Sequence, residues 1–230
     1  MHYQFKWNAD KQSYFCRTLP LRYKFIIGGN HDFGLDNKKQ WYEEKGKHIH
    51  AKFGFDHASP DKIQQAVARF ESQAKSDGRN KCVEDEQIQF SIGEKVWTLY
   101  GSPWSPEFGG WAWNYKRGQE ASELNGHIIN SDILLTHTPP HQFGRLDVIT
   151  DGKTHVGCED LSERLNNGHL RPLLHCFGHI HGEQTIGFYS GWMDIDTSSF
   201  STQRHTVHTY ILGTKKQKVI LKRFSLTQLW

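Results

Sequence analysis

The sequence predicts an α/β fold, of the α+β kind, because short apolar strands alternate with amphipathic helices along the chain. The run YKFIIGG at residues 23–29 has the apolar character of a buried strand and ends in two glycines. The run SDILLTH at residues 131–137 repeats this apolar pattern. Between them, residues 59–78 carry apolar side chains at the three- and four-residue spacing of one helix face.

Capping residues set the expected helix boundaries. Asp36 and Gly46 predict the start and the stop of a short helix after the first strand. Pro60 occupies the first turn of the helix at residues 59–78, a position that tolerates proline. The apolar face of that helix comprises Ile63, Val67, Phe70 and Ala74. A further amphipathic helix is predicted over residues 158–168.

Turn signals predict the remaining strands. A Gly-Glu pair separates two β-rich runs and predicts a two-residue hairpin over residues 87–100. The run RPLLHCFGHIH at residues 171–181 predicts a third buried strand. Near the C-terminus, the runs at residues 205–212 and 218–224 predict a terminal hairpin.

The composition describes an ordinary globular chain with no sign of a nucleic-acid or membrane partner. A length of 230 residues fits one domain over residues 1–230, and a net charge of +3 is too weak to predict nucleic-acid binding. The four cysteines form no C-x-x-C pair, so reduced thiols in a cytoplasmic protein are expected. The sequence contains neither an apolar run of membrane-spanning length nor a signal peptide. It carries no signal for an oligomeric state.

Polar side chains that can bind a metal follow three of the predicted strands. They are Asn30, His31 and Asp32 after the first strand, His137 after the second, and His179 and His181 after the third. Loops converge at the carboxyl ends of strands, where ligands collect. Histidines two residues apart in an extended chain point to the same side, so His179 and His181 can serve one centre. Imidazole nitrogen and amide oxygen suit divalent metals such as Zn, Mn or Fe.

Each of these residues also has a purely structural interpretation. The chain contains 15 histidines, so one histidine at a strand end carries little weight. The segment GGNHD fits a tight turn, and THTPP fits a strand that runs into a rigid loop. His175 alternates within an apolar strand and is expected to be either a hydrogen-bonded core residue or a residue that supports a metal ligand. Surface positions are expected for His48, His50, His57, His127, His169, His205 and His208.

The order of three motifs is the most specific signal in the sequence. The motifs are GNHD at residues 29–32, THTPP at residues 136–140 and GHIHG at residues 178–182. In this order they resemble the calcineurin-like metallophosphoesterase superfamily, over about residues 24–199. The stretch YGSPWSPEFGGWAWNY at residues 100–115 resembles the small phosphodiesterase-like branch of metallophosphoesterase-domain proteins. The resemblance implies a four-layer αββα sandwich with two divalent metals bridged by a hydroxide.

The resemblance also implies roles for individual residues. The implied metal ligands are Asn30, His137 and His179 for the second metal and His181 for the first. His31 matches the residue that binds the substrate phosphate and protonates the leaving oxygen, and Asp32 matches the residue that orients it. Two metals of this kind activate water and stabilise the attacking and leaving oxygens of an in-line displacement.

Two motifs of the superfamily have no match in this chain. They are an Asp-x-His and a Gly-Asp, which supply most of the first metal site and the carboxylate that bridges both metals. One explanation is an N-terminally incomplete domain that lacks its first strands, and the other is a degenerate family member. In either case fewer than two bound metals are expected, because two dications without a bridging carboxylate repel each other.

Two functions of different classes follow. The first is a metal-dependent phosphoesterase that hydrolyses phosphate mono- or diesters, nucleotides among them, by metal-activated hydroxide with His31 assisting the leaving group. The second is a catalytically impaired or inactive truncated relative that binds a nucleotide or a protein. The cleft and the cluster of Trp104, Trp111 and Trp113 would form that binding surface, unless these indoles serve only for packing.

Overall fold

The computed structural model of the chain describes residues 22–32, 34–36, 41–53, 60–72 and 79–180, and four short strands between residues 206 and 225. The chain divides into two compact units, Met1–Glu183 and Gln184–Trp230. Compactness does not test whether the units fold together, so the single domain over residues 1–230 stays a prediction. In the described part of the chain, every helix is too short or too polar to span a bilayer.

The described residues of the first unit form eight strands and four α-helices. The strands are β1 (Lys24–Ile26), β2 (Asn80–Cys82), β3 (Glu86–Ile92), β4 (Lys95–Ser102), β5 (Ser105–Pro106), β6 (Asn114–Tyr115), β7 (Ile133–Thr136) and β8 (Leu174–Cys176). The helices are α1 (Lys47–Phe53), preceded by a π-helical turn (Tyr42–Gly46), α2 (Pro60–Ser72), α3 (Gln119–Gly126) and α4 (Glu159–Asn166).

A mixed four-stranded sheet holds two of the three predicted functional strands. Its order is β3-β4-β7-β8, with β3 and β4 antiparallel and the other neighbours parallel. The predicted hairpin is confirmed, because Ile92 pairs with Lys95 across a two-residue turn. Strand β1 pairs with β2 in a separate parallel pair. Because β7 and β8 are parallel neighbours, His137 and His179, which follow them, lie at the same edge of the sheet.

One face of the sheet packs on the β1–β2 pair. A side chain at Gly101 of β4 would lie 2.7 Å from Val83 Cγ1 and 2.8 Å from Ile27 Cγ2, so glycine lets the two layers approach closely. Helix α2 packs against β2 of this pair, and Asn80 Nδ2 donates a hydrogen bond of 3.0 Å to the Phe70 carbonyl.

The opposite face of the sheet packs on helices α3 and α4. Tyr100 of β4 lies directly beside Leu134 of β7, and both are buried. They belong to one hydrophobic cluster with Ala121 of α3 and Leu161 of α4. Since successive residues of a strand point to opposite faces, Tyr100 and Gly101 face different layers. The contacts therefore run in the predicted order of helix, strands, strands and helices, and the α/β class is confirmed.

The predicted helix over residues 36–46 is wrong at its C-terminal end. Gly46 does not stop the helix, which continues through α1 to Phe53. Gly46 is buried, and a side chain there would lie 2.6 Å from the Trp41 ring, so close packing is the reason for glycine. Asp36 Oδ2 accepts a hydrogen bond of 2.8 Å from the Trp113 N–H, and its predicted role as the N-cap stays a prediction because residues 37–40 lie outside the described residues.

The predicted helix over residues 158–168 is confirmed as α4. Its N-cap is Cys158, whose Sγ accepts a hydrogen bond of 3.3 Å from the Leu161 N–H. The preceding helix α3 has no counterpart in the sequence prediction. Its buried residues are Ala121 and Asn125, a small and a polar side chain, and they give no apolar stripe. Cys82, Cys158 and Cys176 are free thiols, as expected.

The second unit contains four short strands, which confirm the terminal hairpin within the described residues. They are β9 (Thr206–Val207), β10 (Leu212–Thr214), β11 (Gln217–Val219) and β12 (Phe224–Ser225). Strand β10 pairs antiparallel with β11, and β9 pairs antiparallel with β12. This nested order is that of a single hairpin.

Candidate metal site

Backbone hydrogen bonds bring the ends of three neighbouring strands together. The His137 N–H donates to the Ser102 carbonyl over 3.0 Å, and the Gly178 N–H donates to the His137 carbonyl over 3.1 Å. These bonds continue the β4-β7-β8 ladder beyond its regular part. They place the imidazoles of His137 and His179 side by side, with ring centroids 4.6 Å apart and an angle of 57° between the rings.

Asn30 approaches the same imidazole from the end of β1. Its Oδ1 lies 2.9 Å from His137 Nε2, and its side chain is only 5% exposed. The residue before it, Gly29, is where the His137 ring packs on the backbone. A side chain at Gly29 would lie 2.5 Å from ring atoms Cε1 and Nδ1 of His137. Only glycine therefore allows the contact between Asn30 and His137.

His179 adopts a backbone conformation that non-glycine residues seldom take. Its φ is +73°, in the left-handed region, directly after Gly178. Such conformations cost free energy and cluster at functional sites. The turn directs the chain after β8 so that the His179 ring meets His137.

Asn30, His137 and His179 form what we call the strand-end site. They supply one amide oxygen and two imidazoles, a donor set that fits one divalent cation of the Zn, Mn or Fe type. In the described ranges, no three His, Cys, Asp or Glu side chains are positioned to share a metal. The described residues thus fit one cation and do not supply a carboxylate bridge for two. His181, the remaining predicted ligand, lies outside the described residues.

Asp32 closes the turn that carries Asn30. Its Oδ2 accepts a hydrogen bond of 2.7 Å from the Gly29 N–H, and its own N–H donates to the Gly29 carbonyl over 2.8 Å. Burial raises the pKa of Asp32 to about 6, although the bond from Gly29 acts in the opposite direction. Asp32 therefore holds the Gly29–Asn30 turn, and its predicted role in orienting His31 stays a prediction.

His31 lies at the exposed rim of this turn, next to an indole. Its ring centroid is 5.1 Å from that of Trp111, with 50° between the planes. The other two tryptophans of the predicted cluster are core residues. Trp104 and Trp113 are 5% and 0% exposed, and their rings pack edge to face at 5.1 Å. Two of the three tryptophans therefore belong to the core, and of the three only Trp111 lies beside a predicted site residue.

His175 is partly buried and hydrogen-bonded, in line with the hydrogen bond that the sequence predicts. Its Nε2 lies 2.8 Å from Thr136 Oγ1, one residue before His137. Burial lowers the pKa of His175 to about 3, because a buried imidazole loses the hydration of its charged form. Of the predicted surface histidines, His48, His127 and His169 are exposed; the others lie outside the residues whose side chains are described.

A second cluster, around Asp147, was missed from the sequence. Asp147 is fully buried, and its Oδ1 lies 2.6 Å from His155 Nδ1. Its Oδ2 accepts hydrogen bonds from the N–H groups of Gln142 (2.8 Å) and Gly157 (3.2 Å). These four residues, which we call the Asp147 cluster, join both ends of the loop between β7 and α4. The only signal in the sequence was His155 eight residues after Asp147, within a stretch of turn residues, and this signal is weak.

Comparison with known proteins assigns the chain to a family. A family model for calcineurin-like phosphoesterase matches residues 4–183. Metallophosphoesterase domain-containing protein 1 of Homo sapiens is 31% identical over 174 residues, covering 71% of this chain and 46% of that protein. UPF0046 protein T07D4.2 of Caenorhabditis elegans is 33% identical over 179 residues, covering 71% of this chain and 39% of that protein. The matched region thus spans less than half of either relative. The chain belongs to the calcineurin-like phosphoesterase family, as its three motifs predict.

Proposed function

We propose that the chain is a metal-dependent phosphoesterase that acts on small phosphate mono- or diesters. The observation that carries this proposal is the strand-end site, where Asn30 and His137 are 2.9 Å apart and His179 packs on the same imidazole. Such a set of neutral oxygen and nitrogen donors at strand ends suits a cation. Membership of a family of phosphoesterases supplies the reaction class.

Asn30, His137 and His179 would hold one divalent cation, with His181 as a further ligand. When bound, a cation of this kind supplies Lewis acidity, which activates water near neutral pH and offsets negative charge on the phosphate. The protein contributes rigidity. The Gly29 turn, closed by Asp32, and the backbone bond from Gly178 to His137 fix the donors before a cation arrives.

His31 is the proposed proton donor to the leaving oxygen. It follows Asn30 directly and is exposed, so a bound ester can reach its ring. A positioned imidazole of this kind contributes roughly 10²- to 10⁴-fold to rate. Its contribution depends on the leaving group, because a weakly basic leaving oxygen departs without protonation.

The second candidate function is a non-catalytic module that binds a phosphate ester or a protein. The observation that favours it is the donor set itself, since no carboxylate joins the strand-end site among the described residues. A single cation with neutral ligands binds phosphate oxygens but lacks the second charge of a dinuclear centre.

The test is hydrolysis of two monoesters that differ in leaving group, phenyl phosphate and 4-nitrophenyl phosphate, by the untagged chain in Mn²⁺. The enzyme proposal expects turnover of both substrates. His31→Gln should slow phenyl phosphate by about 100-fold and 4-nitrophenyl phosphate by much less, because nitrophenolate needs less protonation.

The matched control is His169→Gln, which changes an exposed histidine in the segment that leads into the start of β8, whereas His179 follows the end of β8; it should leave both rates unchanged. An equal loss on both substrates in His31→Gln would contradict the proton-donor role. No Mn²⁺-dependent hydrolysis of either ester by the wild-type chain would favour the binding module instead.

A further inference from the structure

The loop at residues 107–111, here called the aromatic loop, carries two large aromatic side chains, one of which lies beside His31. Phe108 is 75% exposed, and Trp111 is only partly buried. Trp111 faces His31 at 5.1 Å between ring centroids. A loop tip usually exposes small or polar residues, so two aromatic side chains at this place require an explanation.

Hydrogen bonds from buried residues hold the aromatic loop in place. The indole Nε1 of Trp41 donates to the Gly110 carbonyl over 3.0 Å, and the Glu107 N–H donates to the Tyr115 carbonyl over 2.8 Å. Just after the loop, the Trp113 N–H donates to Asp36 Oδ2 over 2.8 Å. Trp41 and Trp113 are themselves core residues. The loop is therefore fixed to the segment that follows His31.

Two glycines shape the aromatic loop so that the indole folds back over it. Gly109 and Gly110 have φ angles of +67° and +70°, in the left-handed region. A side chain at Gly109 would lie 2.6 Å from Trp111 Nε1. This geometry sets the position of the Trp111 ring next to His31 before any ligand arrives.

We propose that the aromatic loop recognises a planar aromatic group on the leaving side of the phosphate ester. This inference rests on the proposed function, because it uses His31 as the residue next to the leaving oxygen. An aromatic leaving group whose oxygen lies at His31 would extend toward the neighbouring Trp111 face. A ring stacked there gains contact area at little conformational cost, because the indole is already fixed. Trp111 acts as a specificity residue and takes no part in proton transfer.

The experiment measures binding of two phosphonates, whose P–C bond the reaction does not cleave. They are (1-naphthylmethyl)phosphonate and n-butylphosphonate, which carry the same head group and differ in the attached group. Calorimetric titration of the untagged full chain in Mn²⁺ should give about tenfold tighter binding of the naphthyl compound. Trp111→Ala should abolish this preference and leave the affinity for n-butylphosphonate unchanged.

Two further variants keep the test independent of folding effects. Phe108→Ala removes a highly exposed ring, so it should fold normally and reduce the naphthyl preference by about threefold. Trp97→Ala is the matched control, since this indole lies near the opposite end of β4 beneath Lys95 Nζ, 3.6 Å from its ring centroid. The control should keep the full preference.

Equal affinities of the wild-type chain for the two phosphonates would overturn the inference, as would a preference that survives Trp111→Ala. Failure of the proposed function gives a different result. In that case neither phenyl phosphate nor 4-nitrophenyl phosphate would show Mn²⁺-dependent hydrolysis, whatever Trp111→Ala does to the preference for the naphthyl compound. A wild-type chain that binds neither phosphonate would overturn both proposals.

Discussion

The strand-end site and the Asp147 cluster both place an imidazole against a side-chain oxygen, yet the oxygens have different chemistry. At the strand-end site the partner of His137 is the neutral amide oxygen of Asn30 at 2.9 Å. In the Asp147 cluster the partner of His155 is a carboxylate at 2.6 Å. That carboxylate also accepts two backbone hydrogen bonds, from Gln142 and Gly157, so both of its oxygens have partners within the protein.

The difference separates a structural cluster from a ligand site. A fully buried carboxylate that already accepts hydrogen bonds from its own chain stabilises a loop and is not accessible to an external ligand. The neutral donors at the strand-end site are held rigid by backbone contacts instead, and a cation can compete for their lone pairs. Mutations in the first region should therefore change stability, and mutations in the second should change metal binding.

The largest expected effect is on stability, from Asp147→Ala. The substitution leaves His155 and two N–H groups of the loop without their acceptor, which should cost about 3 kcal/mol in free energy of unfolding. Urea denaturation measures this loss. Metal affinity should change less than twofold.

The control for Asp147 is Asp151, which also accepts three hydrogen bonds, from Lys153 and Thr154, but in an exposed turn. Asp151→Ala should have a much smaller effect on stability, because water replaces its bonds. Equal losses for the two aspartates would show that burial is not the source of the stabilisation.

The next effect is on the strand-end site, from Gly29→Ala. The added methyl would lie 2.5 Å from the His137 ring and must push it away from Asn30. We expect metal affinity to fall by roughly 10- to 100-fold, as when groups that orient metal ligands are changed. The strain should also cost about 1–3 kcal/mol in stability. Titration calorimetry with Mn²⁺ measures the affinity.

Gly178→Ala is the matched control, since Gly178 precedes the ligand His179 and a side chain there would meet nothing within 4 Å. Its N–H bond to His137 is retained by alanine. If both variants bind Mn²⁺ as tightly as the wild type, the position of the His137 ring does not matter for metal binding.

The smallest effect is expected from His175. Its hydrogen-bond partner is the hydroxyl of Thr136, not an amide or a carboxylate. Burial holds the pKa of folded His175 at about 3, below the ordinary value of 6.5. The unfolded chain therefore binds the proton first, so stability is full above pH 6.5 and falls as the pH drops toward 3. Between pH 8 and pH 5.5 this histidine should cost about 1.4 kcal/mol.

Denaturation of the wild type and of His175→Gln at both pH values isolates this contribution. The variant should lose about 1.4 kcal/mol less than the wild type on acidification, and His169→Gln, at an exposed position, should behave as the wild type. Parallel pH profiles of wild type and His175→Gln would contradict the assignment of a buried, neutral imidazole.

Much of the fold follows from local patterns in the sequence. The β3–β4 hairpin, helix α4 and the strands β1, β7 and β8 all have strong apolar periodicity or turn signals, and the structure confirms them. Gly46 was wrongly predicted to end the helix because the sequence does not show that the Trp41 ring packs closely on its backbone. The hydrogen bond between Asp36 and Trp113 was not predicted because the two residues are 77 positions apart in sequence.

For the site as well, the sequence predicted some features and missed others. Residue types and motif order identified Asn30, His137 and His179, and the structure brings these three together. The need for glycine at position 29 depends on the approach of His137 from another strand, which no local pattern encodes. The Asp147 cluster was missed because a buried carboxylate in a loop looks like a turn residue in sequence.

Metal stoichiometry tests the central claim, that the strand-end site holds a cation, most directly. The untagged chain is dialysed against Mn²⁺ or Zn²⁺, and bound metal is measured by mass spectrometry for the wild type, Asn30→Ala, His137→Ala and His169→Ala. We expect well under two ions per chain, about one, for the wild type and for His169→Ala. Asn30→Ala and His137→Ala should each lose most of the bound metal. Equal metal content in all four proteins, or none in the wild type, would contradict the claim.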